Sequence, residues 1–109
     1  MLALAGAFAC AGLLGPQASA ASVDSKFQAT LTRLIMKSDR PEVAKWTKEQ
    51  RAIMAACIGE IVPQKKKQYI LAGGDAEFDV RLDEVKAADK YAVERQINRT
   101  CLQRVNSTS

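Results

Sequence analysis

From residue 22 onward the apolar positions of this chain recur at intervals of three and four, the spacing that lines them along one face of an α-helix. Phe27, Leu31, Leu34 and Ile35 form the first stripe, and Ser22 or Asp24 stands where a side chain can accept from the free amides at a helix start. A helix is predicted over 24–37. Ser38-Asp39-Arg40-Pro41 ends it, because a residue before proline is pushed out of the α region and the cluster favours a turn. Thr47-Lys48-Glu49-Gln50 then has the form of a capping box, in which the Thr hydroxyl accepts the third amide and the Gln side chain returns to the Thr amide. The helix it opens carries Ile53, Met54, Cys57, Ile58 and Ile61 on one face, with Cys57 in the middle of the stripe.

Pro63 interrupts that pattern, and Gly59, four residues back, leaves room for its ring, which favours a kink over a stop. Lys65, Lys66 and Lys67 point the same way, since cations in the first turn of a new helix oppose its dipole. One bent helix is therefore expected over 47–72. Gly73-Gly74 ends it, with Gly73 at the left-handed position, and Asp75 is expected to cap the next helix, reinforced by Glu77 and Asp79. From 76 to about 105 the stripe runs Phe78, Leu82, Val85, Ala88 and Ala92, then slips by one residue to Val93, Ile97, Cys101 and Val105. This reads as one long helix that turns its face midway, Phe78 and Leu82 meeting the first helix or its loop and Ile97 and Cys101 meeting the second. No stretch alternates with period two, so no sheet is expected. The predicted fold is all-α, a small three- to four-helix bundle in a single domain.

The start of the chain is different in kind. No charged side chain precedes Asp24, and Leu2 to Leu14 holds only Ala, Leu, Gly, Phe and Cys. That length matches the roughly 7–15 residues of a signal-peptide apolar core and falls short of the about 20 needed to span a bilayer. Pro16 breaks the run, and Ala18 and Ala20 supply the small residues a signal peptidase requires, so cleavage is expected after Ala20, with Ala21 nearly as suitable. No Lys or Arg precedes the apolar run, a departure from the complete pattern, and Phe8-Ala9 is a poor approach to lipidation of Cys10. Residues 1–20 are thus read as a signal peptide and 21–109 as one exported domain, periplasmic or secreted. Two cysteines remain after cleavage, Cys57 and Cys101, and an even pair in an oxidising compartment implies one disulfide. Closing a loop of about 45 residues is worth on the order of 4 kcal/mol, so its expected role is stability. Redox catalysis would favour a C-x-x-C pair, which the chain lacks.

Composition narrows the chemistry. The 109 residues include no His, which removes the commonest general base, the usual neutral metal ligand and the physiological pH switch, and excludes serine–histidine and cysteine–histidine hydrolase sites. Glu77, Asp79, Asp83 and Glu84 form the one carboxylate cluster, and with Arg81 and Lys86 interleaved they read as a solvated helix face rather than a metal or acid–base site. Gly73-Gly74-Asp75 lacks the Lys-Ser/Thr of a phosphate loop. Neither cofactor nor metal is expected.

Charge is segregated along the chain. Residues 26–67 hold ten Lys/Arg against four Asp/Glu, and residues 75–94 hold seven Asp/Glu against three Lys/Arg, so the two parts are expected to attract each other within the fold. Lys65, Lys66 and Lys67, beside Gln64 and Tyr69, could instead form a basic interaction patch for an anionic surface. Nucleic acid is not expected, since no stacking aromatics interleave the lysines. Asn98-Arg99-Thr100 and Asn106-Ser107-Thr108 match the glycosylation sequon and are read as chance. A small, exported, helical domain with one disulfide is similar in outline to the acid-stress chaperones of the bacterial periplasm. Those place their first cysteine near the mature N-terminus, whereas Cys57 lies 36 residues past Ala21, so no residue role carries over. The expectation is a non-catalytic binding protein, such as a chaperone, inhibitor or adaptor, whose partner is another protein of the cell envelope or exterior. The alternatives are an effector or membrane-surface binder using the basic patch, and a small helical-bundle lyase or mutase.

Overall fold

A computed structural model describes residues 22–108. The expected leader, its cleavage point and Cys10 lie outside them. The described residues are helical throughout apart from short connections, with no strand among them. Helix α1 spans 22–37; Phe27 and Leu31 are buried, while Leu34 and Ile35 are half-buried against the same core. Its last carbonyls are satisfied from another helix, a device the hydrophobic pattern does not reveal. Arg51 Nη1 donates to the carbonyls of Ile35, Met36 and Ser38 at 2.8, 2.9 and 3.1 Å, placing a cation at the negative end of the helix.

Helix α2, Pro41–Ala44, is a single turn with proline in its opening position, where the missing amide costs nothing. Helix α3, Lys48–Ile61, opens on the predicted capping box: Gln50 N–H donates to Thr47 Oγ1 at 3.1 Å and Thr47 N–H to Gln50 Oε1 at 2.9 Å. The amide nitrogen of the same Gln50 side chain reaches the Val105 carbonyl at 3.3 Å, fixing the end of the chain to the start of α3. Gly59 lets α1 approach, since a Cβ there would overlap the Gln28 side chain.

The bent helix expected over 47–72 is two helices. Helix α3 stops at Ile61, Val62 is extended (φ −71°, ψ 123°), and Pro63 (ψ 153°) precedes helix α4, Gln64–Ala72. Val62 obeys the steric rule for a residue before proline, which outweighs the cost of lysines in the first turn of α4. Glycine usage is also shifted by one position. Gly73 is right-handed and Gly74, at φ 72°, takes the left-handed conformation. Asp75 makes no cap and instead pairs with Arg33 of α1.

Helix α5, Gly74–Gln96, is not continuous either. Ala88 is extended, and Asp89, Lys90 and Tyr91 are left-handed (φ 54°, 59° and 65°). The break falls where the stripe slips, and it re-aims the second arm so that Val93 and Ile97 face the core that Phe78, Leu82 and Val85 enter from the first arm; Ala88 and Ala92, expected on the stripe, are exposed. A π-helical turn, Ile97–Cys101, follows, with Leu102 N–H donating to Ile97 O, and then helix α6, Leu102–Asn106. The wider turn explains the spacing of Ile97, Cys101 and Val105, since residues four apart would drift around an ordinary α-helix.

All these stripes converge on one core. Phe27 and Phe78 stack tilted, with ring centroids 5.4 Å apart, as expected for the first arm of α5 against α1. Cys57 of α3 and Cys101 of the π-turn are fully buried and joined (Sγ–Sγ 2.14 Å, Cα–Cα 5.6 Å), so the disulfide crosses the core as the stripes imply. The fold is an all-α bundle with one disulfide.

Candidate binding groove

Beside this closed core lies an open cavity of about 480 Å³. Its apolar floor comes from three helices: Leu31, Leu34 and Ile35 of α1, Met54 and Ile58 of α3, and Leu82 of α5. Ile97 and Leu102, of the π-turn and the start of α6, also line it, as do Val43 of α2 and Trp46. Arg51 holds the last of these in place. By donating to the end of α1 and to Ser38, it fixes the 38–46 link that carries Trp46, whose carbonyl also accepts from Arg51 Nε at 3.4 Å.

The rim is charged. Glu42 of α2, Asp79 and Asp83 of the first arm of α5, and Glu94 of its second arm stand around the opening with Arg40 and Lys86. Lys86 approaches Asp83 at 3.7 Å, whereas the carboxylates of Glu42, Asp79 and Glu94 have no ion pair or hydrogen bond among the described residues. An apolar floor under a rim with four carboxylates and two cations can bury hydrophobic side chains and orient them by charge.

The basic patch is placed elsewhere and is smaller than its sequence implies. Lys65 and Lys66 are exposed on α4, but Lys67 is only 9% exposed. Its ammonium lies 3.0 Å from Asp24 Oδ1 and 5.6 Å from the Phe27 ring centroid, so Lys67 clamps α4 onto the start of α1 and is no part of an open patch. Helical periodicity is the reason: Lys67 and Ile70 are i, i+3 and share the buried face. Tyr69 is likewise engaged, its hydroxyl donating to Glu84 while Arg81 lies over its ring at 4.7 Å and donates to its carbonyl at 2.8 Å. That hydrogen bond to Glu84 raises the Tyr69 pKa.

The carboxylate cluster divides by role. Glu77 pairs with Arg81 at 3.1 Å and Glu84 with Tyr69, as a solvated helix face would, but Asp79 and Asp83 line the groove. Between the basic and acidic parts of the chain the attraction is carried by Arg33–Asp75 at 2.8 Å. The hydrogen bond from Arg33 lowers the Asp75 pKa, with the charges of Arg33 and Lys37 adding to it and desolvation opposing. Asn98 is exposed at the groove edge and Asn106 ends α6. Among the described residues no three His, Cys, Asp or Glu side chains gather as a metal site, and no helix is long and apolar enough to cross a membrane.

The groove itself is what sequence reasoning missed. Its residues come from six segments, and a stripe that lines a groove has the same periodicity as one that fills a core. Leu34, Ile35 and Trp46 stay half-buried because no further helix covers them. Comparison of the chain with protein-family models, with curated proteins and with solved structures finds no match.

Proposed function

We propose that this chain is a small exported binding protein, periplasmic or secreted, that works without catalysis by holding part of another protein of the cell envelope or exterior. The observation that supports this reading is the groove: an open cavity of about 480 Å³ with an apolar floor, beside a core that is otherwise closed and tied by Cys57–Cys101. That volume lies within the roughly 300–1,000 Å³ typical of binding pockets. Its walls are helices joined by a buried disulfide, which suits a rigid docking surface. Export is supported by the charge-free run Leu2 to Leu14, by Ala18 and Ala20 at the peptidase positions, and by the even cysteine pair that cleavage leaves. The basic-patch alternative is weakened by the burial of Lys67, which leaves Lys65 and Lys66 to act.

Site-directed cross-linking tests the reading. A photoreactive residue is placed at Leu34 on the groove floor or at Lys66 on α4, and the protein is expressed in its own cell. An adduct of defined size from position 34 and none from position 66 is expected; adducts from 66 alone would move the function to the basic surface. Intact-mass analysis of the recovered protein checks export. A chain lacking residues 1–20 with no alkylatable thiol is expected, and one retaining them, or two free thiols, would contradict it.

A further inference from the structure

We infer that the groove takes the apolar face of a cationic amphipathic helix supplied by a partner polypeptide. The inference rests on the binding reading above and specifies the chemistry of the partner. Two of the groove walls are helices that present side chains in helical rows. Leu31, Leu34 and Ile35 fall at i, i+3 and i+4 on α1, and Asp79, Leu82, Asp83 and Lys86 fall at i, i+3, i+4 and i+7 on α5. A trough between such rows accepts the ridge of a third helix, whose apolar residues at i, i+3, i+4 and i+7 reach the floor.

Charge selects which helix. Four carboxylates face two cations around the opening, and Glu42, Asp79 and Glu94 are without ion pairs among the described residues although the whole chain carries a formal charge of +4. Asp79 and Asp83 lie one turn apart, about 6 Å along α5, so lysines or arginines one turn apart on the incoming helix meet both. An anionic lipid surface is disfavoured at this face, because it would meet the same carboxylates.

Trp46, the only tryptophan, lies at the groove and reports its occupation. The oxidised protein is titrated with a synthetic helical peptide of Leu and Lys having one apolar face, and with the same peptide carrying Glu for Lys. The Lys peptide is expected to shift Trp46 emission to the blue, to lose affinity as salt rises, and to bind about tenfold more weakly to the Asp79→Asn, Asp83→Asn variant. Circular dichroism confirms that this surface variant stays folded. Equal binding of the Glu peptide would overturn the charge assignment while leaving the groove as a binding site. Failure of both peptides, with Leu34 cross-links in the cell retained, would overturn the helix assignment alone. A Trp46 shift that grows with protein concentration, with dimers in sedimentation, would give the groove to a second copy of this chain and overturn the proposal.

Discussion

Three carbonyl oxygens at the C-terminal end of α1, those of Ile35, Met36 and Ser38, converge on one nitrogen of Arg51, so the loss of that one side chain should be felt by the whole helix end. Removing the guanidinium leaves part-buried acceptors at the negative end of a helix without a donor, so Arg51→Ala is expected to lower unfolding stability by about 2–3 kcal/mol in urea denaturation. Arg51→Lys should recover only part of this, because an ammonium lacks the planar fork that serves Trp46 and the α1 end together. An unchanged midpoint for Arg51→Ala would contradict the capping role. A second residue-scale prediction concerns acid. The folded-state pKa of Asp75 is lowered by Arg33, so the pair stabilises the fold above the unfolded value, about 3.9, and that contribution disappears as the pH falls through the lowered folded value. NMR titration of the Asp75 carboxyl should show its pKa rise in Arg33→Gln. The pair is exposed, so little global stability should follow.

At the scale of the element, Phe78 is fully buried against Phe27, and Phe78→Ala should cost about 3 kcal/mol or more through the cavity it leaves. The left-handed run at Asp89, Lys90 and Tyr91 gives the opposite sign. A non-glycine residue held there costs roughly 1–2 kcal/mol, so Lys90→Gly should raise stability by about 1 kcal/mol after the entropy glycine loses on folding. A loss of stability would mean that the lysine side chain earns its conformation through contacts. This segment also shows what the sequence conveys and what it withholds. The slip from Ala92 to Val93 announces a change of face, but no Pro or Gly marks a break, and an under-wound helix would satisfy the same spacing. Pro63 is the reverse case: the signal is plain, and choosing between a kink and a stop turns on Val62, whose extended backbone is imposed by the proline that follows. The capping box needs only local geometry, so Thr47 and Gln50 are legible from sequence alone. Arg51 reaches another helix, and nothing in the spacing of the apolar residues could place it there.

At the scale of the whole molecule, the convergence of the stripes makes the Cys57–Cys101 bond the tie between α3 and the π-turn. In a domain this small the core alone is marginal, so Cys57→Ala, Cys101→Ala should lose on the order of 4 kcal/mol relative to the oxidised protein. The groove is assembled at the same scale, from segments between Leu31 and Leu102, and for that reason it was invisible as a motif. Asp79 and Asp83 belong to a carboxylate cluster that is plain in the sequence, yet only the packing of α1 against α5 turns them from a solvated face into a rim. In the proposed function it is the groove, rather than the lysine surface of α4, that meets the partner. Amide chemical-shift mapping on the 15N-labelled oxidised protein tests it most directly, with the Leu/Lys peptide as titrant. Shifts concentrated at Leu31, Leu34, Leu82, Asp83 and the Trp46 indole, with Lys65 and Lys66 unmoved, are the expected result. Shifts centred on Lys65 and Lys66, with the Trp46 indole unchanged, would contradict it.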